Sequence, residues 1–120
     1  MRYRVIADWT ASYADPLQLA AGAPVQLTGR AERWDGHLWL WARAGDGREG
    51  WIPDSLVRQG ASGPVASDAY AATELTCRAG EVVSAARAIH GWVWCRTATG
   101  RAGWVPARNL APLAPERVAP

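Results

Sequence analysis

The chain has 120 residues, with 13 basic and 11 acidic side chains and a net charge of +2, too little to argue for nucleic acid. It is 49% hydrophobic and 20% charged, which excludes a disordered chain, and no apolar run approaches the ~18 residues of a membrane span. Eight Trp, three Tyr and no Phe make an unusual aromatic set. Each buried aromatic removes on the order of 150–250 Å² from water, so a few residues can stabilise a small fold.

The N-terminus carries Arg2 and Arg4 with no apolar stretch behind them, so no signal peptide is expected. A cytoplasmic protein with reduced thiols at Cys77 and Cys95 follows from that. Every basic residue is Arg and Ala is abundant, as in GC-rich bacterial coding sequence. In chain order, Arg4-Val5-Ile6-Ala7 reads as a first strand and Pro24-Val25-Gln26-Leu27 as a second. Ala31 to His37 reads as a loop. Leu38 to Arg43 is a third strand, Gly45-Asp46-Gly47 a tight turn, and Gly50-Trp51-Ile52 a fourth strand. Pro53-Asp54-Ser55-Leu56 reads as a single 3-10 turn before a short fifth strand. Residues 60–63 read as a linker, Thr99-Gly100 as a second hairpin turn, and 114–120 as a flexible tail.

The chain repeats itself. Arg48-Glu49-Gly50-Trp51-Ile52-Pro53 recurs 53 residues on as Arg101-Ala102-Gly103-Trp104-Val105-Pro106. At the same offset, Trp39-Leu40-Trp41-Ala42-Arg43 recurs as Trp92-Val93-Trp94-Cys95-Arg96. Leu17-Gln18-Leu19-Ala20-Ala21-Gly22 recurs as Leu75-Thr76-Cys77-Arg78-Ala79-Gly80 at an offset of 58, so the first copy is five residues longer before its Trp. This divides the chain into domains at 1–59 and 64–113. Five short strands in each copy predict an all-β fold of two small barrels.

These motifs resemble the Src-homology-3 family in its bacterial variant form. Val5-Ile6-Ala7-Asp8-Trp9 is similar to "ALYDY", Leu17 to Ala23 to "LSFKKGD", Trp39-Leu40-Trp41-Ala42 to the "WWxA" strand, and Gly50 to Val57 to "GYIPSNYV". The second copy matches again with Leu75–Glu81, Trp92–Cys95 and Gly103–Leu110. The resemblance implies two tandem SH3-like five-stranded small barrels that bind rather than catalyse. It implies a protein or peptide partner, proline-containing segments included, since an extended polyproline II peptide loses little entropy on docking between aromatic ridges. Carried over residue by residue, the binding groove consists of Trp9, Trp39, Trp51 and Pro53 in the first copy and Tyr70, Trp92, Trp104 and Pro106 in the second. Asp15, Asp35 and Glu74 stand near the family's acidic loops. The pattern is broken where Ala7 and Asp68 replace one groove Tyr and Leu56 and Asn109 replace another, which weakens the case for ordinary PxxP ligands.

The remaining Trp residues, Trp34, Trp41 and Trp94, are expected at an inter-domain or secondary contact. Cys77 and Cys95 match core positions, and His37 and His90 read as solvated loop residues. Neither a metal site nor a catalytic constellation is spelled out, so the expectation is a non-enzyme without cofactor, a monomer or weak dimer. Two alternatives stand beside peptide binding: a small molecule held in a Trp-lined pocket between the barrels, and nucleic acid stacked on aromatics. The scattered Arg residues argue against the second.

Overall fold

The computed structural model describes residues 1–113; the tail read at 114–120 lies outside them. The first repeat contributes β1 (Arg2–Val5), β2 (Gln18–Leu19), β3 (Gln26–Trp34), β4 (His37–Arg43), β5 (Glu49–Pro53) and β6 (Val57–Gly60). The second contributes β7 (Gly63–Ala66), β8 (Tyr70–Ala71), β9 (Val82–Ile89), β10 (Trp92–Arg96), β11 (Ala102–Pro106) and β12 (Leu110–Pro112). A 3-10 turn precedes β6 and another precedes β12, at Asp54–Leu56 and Ala107–Asn109. The fold is all-β, as the alternating short runs and frequent turn residues require.

Each repeat builds an antiparallel meander, β3-β4-β5 and β9-β10-β11. The first hairpin turns at Asp35-Gly36, with φ of 50° and 79°; the second turns at His90-Gly91, with φ of 50° and 81°. Two successive positive φ values define the I′ turn, whose twist matches that of the paired strands. The Ala31–His37 segment is therefore a hairpin and not a loop: Ala31 to Trp34 pair with Leu40 to His37. The longer hairpin and a wider bulge between Leu27 and Ala31 absorb the extra length of the first copy.

The first strands are exchanged between the repeats. β1 lies between β9 and β12, with Tyr3 opposite Val83 on one side and Pro112 on the other. β7 in turn pairs with β6, and Val65 bridges Pro24. The following segments cross over as well: Trp9 bridges Cys77, and Gln18-Leu19 pair with Ala71-Tyr70. The cause is the connection between the copies. Gly60-Ala61-Ser62-Gly63 closes a β-hairpin, with Gly63 at φ 121° and Gly60 opposite Gly63. Strands joined this closely pair antiparallel at least entropic cost. Once β7 occupies the edge of β6, β1 must take the equivalent place beside β12. The predicted linker is thus a turn, and the hydrogen-bonded units do not coincide with the sequence repeats. One lobe is continuous, running from about residue 15 to 72. The other is split, joining residues 1–12 to the chain from 73 onward.

Each lobe has its own core. Leu17, Leu19, Val25, Ala42, Ile52, Leu56, Ala66 and Tyr70 fill the continuous lobe. Val5, from the far end of the chain, fills the split lobe with Leu75, Cys77, Val83, Val93, Cys95, Val105 and Leu110. The ladders do not close into the expected barrels. They form a five-stranded sheet ordered β11-β10-β9-β1-β12, a three-stranded sheet β3-β4-β5, and two-stranded ribbons β2-β8 and β6-β7. Bulges interrupt the register within the β3-β4 and β9-β10 ladders. No helix among the described residues is long and apolar enough to cross a membrane.

Candidate functional site

The lobes meet through equivalent residues of the two repeats. His37 stacks on His90 with centroids 4.6 Å apart and planes 15° apart. Trp39 meets Trp92 edge-on at 6.4 Å. Contacts between like positions are those of an isologous interface, here within one chain. His90 Nε2 lies 2.7 Å from Asp54 Oδ1, and Arg108 Nη1 donates to Asp35 Oδ2 at 2.6 Å, so both hairpin turns are tied to the opposite repeat. The two histidines are not solvated loop residues. The protruding I′ turns bring them together between the lobes.

Trp39 and Trp92 are each only 8% exposed, so they are not open platforms on two separate barrels. Trp92 is surrounded edge-on by Trp34 at 4.9 Å, Trp9 at 5.3 Å and Trp39 at 6.4 Å. These rings open onto a single pocket of about 390 Å³ between the lobes. Trp51, Tyr70 and Trp104 continue its wall and Tyr13 completes it, giving eight aromatic side chains from both repeats. Local bonds hold the wall. Tyr70 Oη donates to the Trp51 carbonyl at 2.7 Å, and Trp104 Nε1 to the Ala71 carbonyl at 2.7 Å. Glu74 Oε1 accepts from Trp9 Nε1 at 3.0 Å and from both the amide and hydroxyl of Ser12. Burial, and after it the Glu74 charge, pushes the Tyr70 phenol well above its usual range, so it stays a neutral donor.

The structure brings together Trp9, Trp34, Trp39, Trp51, Tyr70, Glu74, Trp92 and Trp104 from the sequence reading. It leaves out the others. Pro53 and Pro106 are fully buried, opposite Trp39 and Trp92 in the ladders. Asp15 pairs with Arg48 on the surface, and Asp35 with Arg108. Trp41 packs on Trp51 and Tyr13, and Trp94 on Trp104. Arg30 stacks over both Trp41 and Trp51 at about 4.9 Å. Ser12, Tyr13, Glu32, Arg33 and Ala72 also line the pocket and went unread. The Asp35-Gly36 turn could have found Glu32 and Arg33, because a tight turn there makes their segment a strand beside Trp34.

A family model described as the variant SH3 domain matches residues 2–59 and again 65–113. No curated protein and no solved structure gives a significant match to the chain.

Proposed function

This chain belongs to the variant SH3 domain family, whose domains are generally protein-interaction modules, and from that premise we propose that it binds one segment of a protein or peptide partner in the pocket between its lobes. The observation that carries the reading is the convergence of Trp39 and Trp92, with six further aromatics, on one cavity. Family modules stacked side by side would offer two grooves and gain affinity by avidity. Here both Trp residues at the platform position face each other, so the reading is one composite site. A volume of about 390 Å³ suits a short anchor of the partner, such as a proline or another compact side chain with its neighbours. The role is binding, not catalysis.

The test is a titration with the partner captured by the intact chain. One-to-one stoichiometry is expected, with affinity lost in Trp34→Ala, whose side chain stands on the half-buried hairpin extension. Two equivalent sites, or undiminished binding by the variant, would contradict the reading. A second reading is favoured by the same enclosure between lobes: a free small molecule in the pocket. A compact ligand recovered from the purified protein, displaced by no peptide, would support it instead. Glu32 and Glu74 on the pocket wall disfavour a phosphate backbone.

A further inference from the structure

We infer that the segment taken by the pocket is this chain's own C-terminal stretch, Pro115-Glu116-Arg117-Val118-Ala119-Pro120, presented by a second copy. This rests on the proposed binding of one polypeptide segment and names where that segment comes from. Three observations lead to it. The first is composition. After Leu113, the last described residue, the sequence reads Ala-Pro-Glu-Arg-Val-Ala-Pro. Proline has no N–H to satisfy and little backbone freedom to lose, which favours docking against aromatic walls. Trp34 and Trp51 are half-buried and Tyr13 is exposed, so the pocket keeps open apolar surface beside the closed Trp39 and Trp92.

The second observation is the polar match. Glu74 is engaged through Oε1 alone, which leaves Oε2 to accept. Glu32 and Arg33 line the same pocket, and neither has an ion-pair partner among the described residues. Arg117 brings a fork of N–H donors to the two carboxylates, and its neighbour Glu116 brings an acceptor to Arg33. The buried Trp39 Nε1 finds no acceptor among the described residues, and a proline-bearing segment has more carbonyls than N–H groups. The third observation is where the described chain stops. The Leu113 amide donates to the Arg2 carbonyl at 3.0 Å, and Arg2 lies level with Ser84 and with Arg96, the last residue of β10. Trp92 opens β10, four residues back and three strands across, so about 13 Å of strand rise alone separates it from that level. Arg117 is four residues beyond Leu113 and reaches at most about 14 Å. The stretch is too short to return to its own pocket, but it can enter that of another copy.

The experiment follows the intact chain and two charge reversals, Arg117→Glu and Glu32→Arg, by sedimentation over a range of concentrations. Glu32 is exposed on β3, and circular dichroism checks that each variant keeps the parent fold. The intact chain is expected to associate reversibly as its concentration rises, with the indole N–H resonance of Trp34 shifting in step. Each reversal alone is expected to weaken association about tenfold or more. An equimolar mixture of the two variants should regain most of the loss, because the reversed segment of one meets the reversed wall of the other. A synthetic peptide with the sequence of residues 114–120 should compete with association. Association untouched by either reversal, or not regained in the mixture, would overturn the pairing of this segment with this wall. A monomer whose Trp34 resonance moves with Arg117→Glu at every concentration would overturn the second copy and seat the segment in its own chain. A monomer that ignores the synthetic peptide, yet still binds its captured partner one-to-one, would overturn this inference and leave the proposed function standing.

Discussion

Gly103 has no room for a side chain. A Cβ there would fall 2.6 Å from the Leu75 nitrogen and 2.7 Å from the Glu74 carbonyl carbon, both backbone atoms that no rotamer can move. Gly103→Ala is expected to cost at least about 2–3 kcal/mol, while Gly45→Ala, with nothing within 4 Å, stays within about 0.5 kcal/mol in denaturant melts. The recurring Gly-Trp step is thus explained by a crossing segment at its back, a neighbour that its position in sequence does not reveal. Titration adds a second expectation. Burial pushes the Cys95 thiol up from 9.0 to about 11, and the Tyr70 phenol is raised too. Both protons are held more tightly in the folded chain, so the unfolded chain loses its protons first as pH rises. Stability is therefore full below about pH 9 and falls as pH climbs through 11. Cys95→Ala should flatten part of that slope in melts taken from pH 8 to 11; an unchanged slope would contradict the cause given. The core role of both thiols was legible from repeat matching, because Cys77 and Cys95 fall where the first copy has Leu19 and Ala42.

The β3-β4 hairpin decides the shape of the site. Its extension carries Trp34 to Trp92 and sets Glu32 on the pocket wall. The Asp-Gly turn at 35–36 is a strong local signal for this geometry, yet counting the extra residues as a loop hides it. Gly36 stands at φ 79° with open space around it, so a side chain there meets strain but no clash. Gly36→Ala should cost about 1 kcal/mol and loosen the turn. The indole N–H resonances of Trp34 and Trp92 should shift with it, and that of Trp94, which packs on Trp104 rather than on Trp34 or Trp92, should not. The turns at 45–47 and 99–100 and the 3-10 segment at Asp54–Leu56 were legible because their signals are local. The burial of Trp39 and Trp92 was not: an isolated copy leaves that face to solvent, and only the second copy covers it.

At the scale of the whole molecule, the short turn at 60–63 determines the topology. It pairs β6 with β7 and so sends β1 to the far lobe. Two repeats are visible in the sequence; their exchange is not, because β1 and β7 present equivalent edges and no single residue records which one is taken. The exchange makes the lobes interdependent. Val5 is fully buried, and in the core of the split lobe. Val5→Ala should lower stability by about 2 kcal/mol and speed thiol labelling of Cys77 and Cys95, although Val5 lies in the first repeat and both thiols in the second. Slow labelling, with disturbance confined to residues 15–60, would place β1 in its own repeat. The interlocked strands also hold Trp9 beside Trp92 and Tyr70 beside Trp104, which is how one chain builds one pocket from two modules.

Cross-strand contacts in the nuclear Overhauser spectrum of the intact chain test the exchange most directly. Arg4 faces Ala111 across β1 and β12, while Arg58 faces Val65 across β6 and β7. Backbone contacts between Arg4 and Ala111, and between Arg58 and Val65, are the expected result. Contacts between Arg4 and Arg58, with Val65 meeting Ala111, would mean that each repeat keeps its own first strand, and the composite pocket would lose its foundation.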